Sequence, residues 1–297
     1  MSTQPTPPTD AQGAEPFTNL VRVLDLERTD ETTFVGASLP QLNGRVYGGQ
    51  VLAQSLLAAG RTAPEGRQPH SLHGYFLRPG ALDVPITFEV EQLRDGRSFS
   101  ARRVHAMQSG KAILSMIASF QEEQPGIDES QPMPSAPAPE SVDSAVERLS
   151  ALDHPVARFW TSQAAFDIRH VNGDLYLGPD RDGDDRQMVW MRARGPVEGG
   201  QLMHRAMMIY ACDQLMLEPV LRRSDLGWGT RGLSVASLDH AMWWHRDARA
   251  DEWLLYVQSS PSAQGGRGLG AARVFAQDGT LVASIAQEGM VRVPDVG

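Results

Sequence analysis

Two stretches of the chain are apolar around nearly their whole helical circumference, and each opens on Gly-Gly-Gln: Gly48 to Ala59, and Gly199 to Leu217. A helix without a wet face is one wrapped on all sides by other structure. Runs of period two follow the first of them. In Val84 to Leu93, Ile86, Phe88 and Val90 alternate with Thr87, Glu89 and Glu91, as in a strand with one wet face. Asp95-Gly96 marks a turn into a returning strand, Ser98 to Gln108, and Ser109-Gly110 turns that strand into Lys111 to Gln121. Upstream, Phe17 to Arg28 predicts a short amphipathic helix and Thr32 to Ala37 a first strand.

The second half repeats this order. Gly199 stands 151 positions after Gly48, and the strand-like runs Gly232 to Trp244, Trp253 to Ser259, Leu269 to Gln277 and Leu281 to Val293 come after it. Gln277-Asp278-Gly279-Thr280-Leu281 matches Gln108-Ser109-Gly110-Lys111-Ala112 in place and turn chemistry. A period this long indicates duplication of a whole domain. Between the halves the composition shifts to Pro, Ser, Glu and Ala, as in Gln131 to Pro139, with too little apolar surface for a core. The organisation expected is a disordered tail over 1–16, a first domain over 17–125, a linker over 126–160 and a second domain over 161–297.

Composition narrows the partners. Lys+Arg 27 against Asp+Glu 36 gives a net charge of -9, which argues against wrapping a nucleic-acid backbone and leaves room for local arginines facing a small anionic ligand. The single cysteine, Cys212, lies in the second apolar helix and has no partner for an intrachain disulfide, which points to a reducing compartment. With no apolar leader and no run of about 18 apolar residues, a cytoplasmic chain without stable membrane insertion is expected.

One residue conflicts with its setting. At helical spacing Asp213 is surrounded by Ile209, Tyr210, Met216 and Leu217, where ionisation is costly unless polar groups meet it. Either the helix frays near Cys212 and Asp213 faces water, or an arginine pairs with it, or it belongs to a site. Gly227-Trp228-Gly229-Thr230-Arg231-Gly232 satisfies G-x-G-x-x-G but precedes a strand-like run, so turn glycines account for it. No G-x-S-x-G elbow is present. The eight histidines lack metal-ligand spacing, and neither a metal nor an organic cofactor is expected. Asp239 and His240 are adjacent on a strand, face opposite ways and do not form a catalytic pair.

Specific strings sharpen the picture. His73-Gly74-Tyr75-Phe76-Leu77-Arg78-Pro79-Gly80, Arg94 to Val104 and Ala118-Ser119-Phe120-Gln121 resemble the first half of the acyl-CoA thioesterase II family. Leu238-Asp239-His240-Ala241-Met242-Trp243-Trp244, Asp251 to Tyr256 and Ala286-Gln287-Glu288-Gly289 resemble its second half. The resemblance implies an α+β double hotdog, two tandem domains each with a long helix wrapped by an antiparallel sheet. It also implies hydrolysis of acyl-CoA to free fatty acid and coenzyme A.

Carried over residue by residue, the family's water-activating groups fall on Asp213, Ser237 and Gln287. At the matching offset the first half has Thr62, so one active site per chain is expected, with the first domain lending walls and helix-start N-H groups such as those of Gly48 and Gly49. His73, Arg97, Arg102 and Arg267 are further candidates for substrate contact, the arginines for coenzyme A phosphates, with Arg103 alongside them. Two other readings remain open: a hotdog hydratase or dehydratase using His with Asp, and a non-catalytic acyl-CoA-binding protein. Edge strands left by one joined sheet imply a homodimer or homotetramer.

Overall fold

A computed structural model describes residues 16–176, 178–179 and 186–293. The tail expected over 1–16 lies outside them apart from Pro16, which opens helix α1 (Pro16–Leu24). That helix buries Leu20, Val23 and Leu24, then stops short of the Arg28 expected, because Glu27–Arg28 pairs as β1 with β2 (Thr33–Gly36). The first half continues with α2 (Gly48–Gly60), β3 (Gln68–Phe76), β4 (Ile86–Asp95), β5 (Phe99–Gln108) and β6 (Lys111–Gln121). The alternation read in β4 holds, with Ile86, Phe88 and Val90 buried and Glu89 and Glu91 exposed.

The second half comprises β7 (Phe166–His170), β8 (Gln187–Ala193), α5 (Gly200–Cys212), α6 (Glu218–Arg223), β9 (Ser234–Ser237), β10 (Asp239–Trp244), β11 (Leu254–Gln264), β12 (Arg267–Ala276) and β13 (Leu281–Arg292). Strands β7 and β8 precede the helix and carry no clean alternation, so the pattern did not mark them. The expected run from Gly232 to Trp244 is two strands broken at Leu238, whose N-H and C=O bond Glu288 and Phe76 on different neighbours.

The described strands join in one antiparallel sheet of order β1-β2-β4-β5-β6-β3-β10-β13-β12-β11-β8-β7, with β9 on β13. The halves meet at β3 and β10, where Leu72 opposes Met242 and Gly74 opposes His240. Helices α2 and α5 lie antiparallel inside the curl. Gly49 meets Tyr210 at one end, and Gly60 meets Leu202 at the other. Each helix is thus wrapped by its own half of the sheet, the double-hotdog arrangement, and both contribute to one continuous core.

Two expectations need correction. The linker is not a bare spacer: it holds α3 (Ala145–Ser150) and α4 (Pro155–Ser162), and α3 starts on a capping box between Ser144 and Glu147. Ala145, Leu149 and Ala157 are buried, Met133 and Ala136 pack on a small cluster with Trp190, Trp253 and Phe275, and Trp190 Nε1 donates to Pro137 O. Apolar residues too sparse for a core of their own are enough to complete someone else's. The second helix, read through Leu217, ends at Cys212. A turn follows, and Pro219 lies in the first turn of α6, where proline fits, since it cannot continue a preceding helix.

Candidate active site

Asp213 is the C-cap of α5 and is only 7 % exposed, so the helix ends there without releasing the carboxylate to bulk water. It is met from both halves. The N-H of Gly49, at the start of α2, donates to Oδ2 over 2.8 Å. Ser237 Oγ, the last residue of β9, reaches Oδ1 at 3.5 Å. This approach requires glycine at the helix start, because a Cβ on Gly48 would stand 2.9 Å from Oδ2. The turn after Asp213 is admitted by another glycine: a Cβ on Gly270 would fall 1.8 Å from Met216 O.

Behind Ser237 stands Gln287 on β13, fully buried, its Nε2 donating to Ser237 Oγ at 2.8 Å and reaching Asp213 O at 3.5 Å. With the amide nitrogen so committed, Oε1 accepts from His240 Nδ1 at 2.5 Å. The other ring nitrogen of His240 faces Cys212 Sγ at 3.8 Å. His240 is thus the residue that fixes which way Gln287 points. The sequence showed that it faces away from Asp239 but gave no sign of what it faces, which only the β10 to β13 pairing supplies.

Burial pushes the Asp213 carboxyl above the ordinary carboxylate range, and His240, the Gly49 N-H, Gln287 and Ser237 recover part of that shift. Burial likewise holds His240 below the usual imidazole value, with Asp213 pulling it back up. The Cys212 thiol is pushed well up by burial, then by Asp213, and stays protonated.

Asp213 and Ser237 open on a cavity of about 900 Å³, within the size range of sites that enclose a small molecule. Gly48, Tyr47, Phe76 and Leu217 are among its walls, and Arg45 and Arg78 stand on it as well. Gln287 is not on the wall and reaches the cavity through Ser237.

The other candidates lie elsewhere. His73 is on the outer face of the sheet, its Nε2 3.2 Å from Asp239 Oδ2 and its ring stacked on Tyr75. Arg97 is exposed in the turn between β4 and β5, Arg103 pairs with Glu91, and Arg267 pairs with Glu288. Arg102 is 1 % exposed and fully engaged. It donates to the oxygens of Thr62 at 3.1 and 2.9 Å and to the carbonyls of Arg94 and Ala101, and it pairs with Asp95.

The position of Arg102 explains what became of the matching place in the first half. The offset that matches Gln108 with Gln277 matches Ala118 with Gln287, so Ala118 is the counterpart of that glutamine. Across the ladder Ala118 pairs with Arg102, whereas Gln287 pairs with Gly270. The place that Gly270 cedes to the Met216 carbonyl in the turn after Asp213 is taken in the first half by a guanidinium bonded to Thr62. Among the described residues no His, Cys, Asp and Glu cluster has a metal-binding arrangement.

A duplicated helix-in-sheet fold, with a buried carboxylate at the junction of the copies, defines a double-hotdog protein with a polar site at the wall of a large, mostly apolar cavity. The sequence matches the acyl-CoA thioesterase N-terminal domain over residues 37–121 and the acyl-CoA thioesterase C-terminal domain over 129–291. It is 35 % identical to acyl-CoA thioesterase 2 of Haemophilus influenzae, over 92 % of this chain and 97 % of that protein. It is 37 % identical to human acyl-coenzyme A thioesterase 8, over 91 % of this chain and 88 % of the other. The crystal structure of an acyl-CoA thioesterase II from Mycobacterium marinum superposes with a TM-score of 0.77 at 41 % identity, covering 93 % of this chain and 99 % of that one. The chain belongs to the acyl-CoA thioesterase II family.

Proposed function

We propose that the Asp213 site hydrolyses fatty acyl-CoA to free fatty acid and coenzyme A, with the carboxylate as general base. The observation that carries this reading is a carboxylate with a raised proton affinity, held from two sides at the wall of a cavity large enough for a thioester. Asp213 takes a proton from water as the water oxygen bonds to the thioester carbonyl carbon. The C–S bond then breaks, and the departing thiolate recovers the proton from Asp213. Ser237 holds the water beside Asp213, and Gln287, oriented by His240, holds Ser237.

The first half contributes walls and the Gly49 N-H but no base, since Thr62, Ala118 and the Arg102 guanidinium occupy the matching places. We assign one working site per chain, two domains over 17–125 and 161–297, and the phosphates of coenzyme A to Arg45 and Arg78 in place of Arg97, Arg102 and Arg267. No described helix is long and apolar enough to cross a membrane. The buried lone thiol of Cys212 supports the cytoplasm as the compartment. A homodimer or homotetramer is the expected assembly, and a strictly monomeric mass by light scattering would count against it.

A hydratase would need His and Asp both open to substrate. His240 is fully buried, with its two ring nitrogens turned to Gln287 and Cys212, which favours hydrolysis. The separating experiment is release of free thiol from palmitoyl-CoA set beside hydration of an enoyl-CoA. Thiol release without hydration supports the proposal, and the reverse pattern overturns it.

A further inference from the structure

The segment joining the halves has apolar surface turned toward the cavity. On α3 and in the turn after it, Leu149 and Leu152 line the large cavity, and on α4 so do Val156, Ala157 and Trp160. Val156 and Trp160 remain 43 and 40 % exposed, an apolar edge on a short helix. A second, smaller cavity of about 70 Å³ adjoins this wall, between Val146, Phe159 and Ala164 on the connecting segment and Phe166, Ile168 and Tyr210 on the second half. Tyr47, Leu149, Trp160 and Gln214 line both spaces, so the two share a wall.

Two features say what enters there. No charged side chain lines the smaller space among the described residues, while Arg45 and Arg78 stand on the larger one. A phosphate-bearing group is therefore matched only in the larger cavity, and the smaller suits a hydrocarbon. The shared wall is tied to the carboxylate: Gln214 follows Asp213 in the chain, and Tyr47, whose ring meets that of Tyr210 edge-on at 5.1 Å, donates its hydroxyl to Tyr210 O at 2.7 Å. Burial, then the charge of Asp213, raises the Tyr47 phenol well above its usual value, so it stays a neutral donor on that wall.

We propose that helices α3 and α4 form the acyl-chain subsite, so that the connection between the duplicated halves sets which chain lengths are accepted. The assignment rests on the thioesterase reading above and adds to it the place of the hydrocarbon. The thioester carbonyl stands at Asp213, and the first methylenes pass Tyr47 and Gln214. The remainder of the chain covers Leu149, Val156 and Trp160.

Two measurements test it on the full chain. An alkyl-CoA thioether with a diazirine at the end of a long chain cannot be hydrolysed, and on irradiation it should label peptides within residues 145–168. Label confined to other peptides overturns the assignment, and this readout needs no turnover. In the second, Leu149→Trp and Trp160→Asp should each lower kcat/KM for palmitoyl-CoA relative to hexanoyl-CoA by roughly tenfold or more, as when a hydrophobic pocket loses a few methylenes of contact. Trp160 is half exposed, so its replacement is the safer of the two for folding, and circular dichroism checks both. Folded variants that keep the wild-type ratio would sink the proposal. Failure of wild-type enzyme to release thiol from either substrate would instead overturn the thioesterase reading, and the labelling result would still decide where the alkyl chain lies.

Discussion

The backbone N-H of Gly49 donates to Oδ2 of Asp213 over 2.8 Å, joining helix α2 of one half to the carboxylate of the other. The site is therefore a product of the duplication and belongs to neither copy alone. A Cβ on Gly49 would meet the Tyr47 ring at 2.7 Å and Tyr210 O, a backbone atom, at 2.8 Å. Gly49→Ala should push the start of α2 away from Asp213 and weaken a hydrogen bond to a charged group. Such bonds contribute about 1.5–3 kcal/mol, so kcat should fall about tenfold or more. Steady-state kinetics with a thermal melt checks this, and a variant with normal kcat would show that the bond does not matter.

Asp213 also has a predictable signature in stability. Its folded-state proton affinity is raised, chiefly by burial, so its contribution to stability is fully present below the unfolded value and is lost as pH rises through the folded one. At neutral pH the ionised carboxylate costs stability, and Asp213→Asn should melt no lower than wild type there and fall behind it only in acid. Activity runs the other way: kcat needs the carboxylate and should decline in acid through a pKa above the ordinary carboxylate range. Melts and kcat profiles over the same pH series test both signs.

Arg102 is assigned to structure and not to substrate. Arg102→Ala removes a buried guanidinium and leaves Thr62 O and Arg94 O without that donor, at a cost of about 3 kcal/mol. Urea denaturation should show the loss, while KM for acyl-CoA of the folded fraction should not rise. A higher KM with unchanged stability would return Arg102 to the binding site.

A second buried cluster braces the cavity wall. Glu218 accepts from His170 at 3.2 Å, from Trp228 at 2.9 Å and from Gln187. Burial pushes Glu218 up, but His170 and these donors outweigh it and its proton affinity ends below the usual value. A lowered folded value means stability present above the unfolded pKa and lost as pH falls through the folded one. Glu218→Gln should therefore cost about 3 kcal/mol at neutral pH, with the difference from wild type shrinking in acid. Denaturant midpoints at neutral and acid pH measure it.

What the sequence revealed follows from what is periodic. The two apolar helices, the β4 alternation and the Asp-Gly and Ser-Gly turns are local patterns and appear in the structure, the second helix ending at Cys212 and not at Leu217. Asp213 stood out because a lone acid in an apolar run has a cost that one sequence can expose. The arginines were another matter, since charge alone does not say which face of a strand a side chain takes or what it meets: Arg102 faces inward onto Thr62, while Arg45 and Arg78 reach the cavity from segments with no period. The contacts of His240 and of the connecting segment were equally illegible, being set by strand pairing and by surfaces distant in the chain.

The central claim is that one carboxylate, Asp213, serves as base for the whole chain. The direct measurement is thiol release from palmitoyl-CoA by folded Asp213→Asn at neutral pH, beside wild type. Loss of general-base assistance predicts a fall in kcat of about 100- to 10,000-fold in a single phase, with binding of a non-hydrolysable thioether analogue retained at one site per chain. Substantial turnover that survives Asp213→Asn and then disappears on changing Thr62 would place chemistry in the first half and contradict the account.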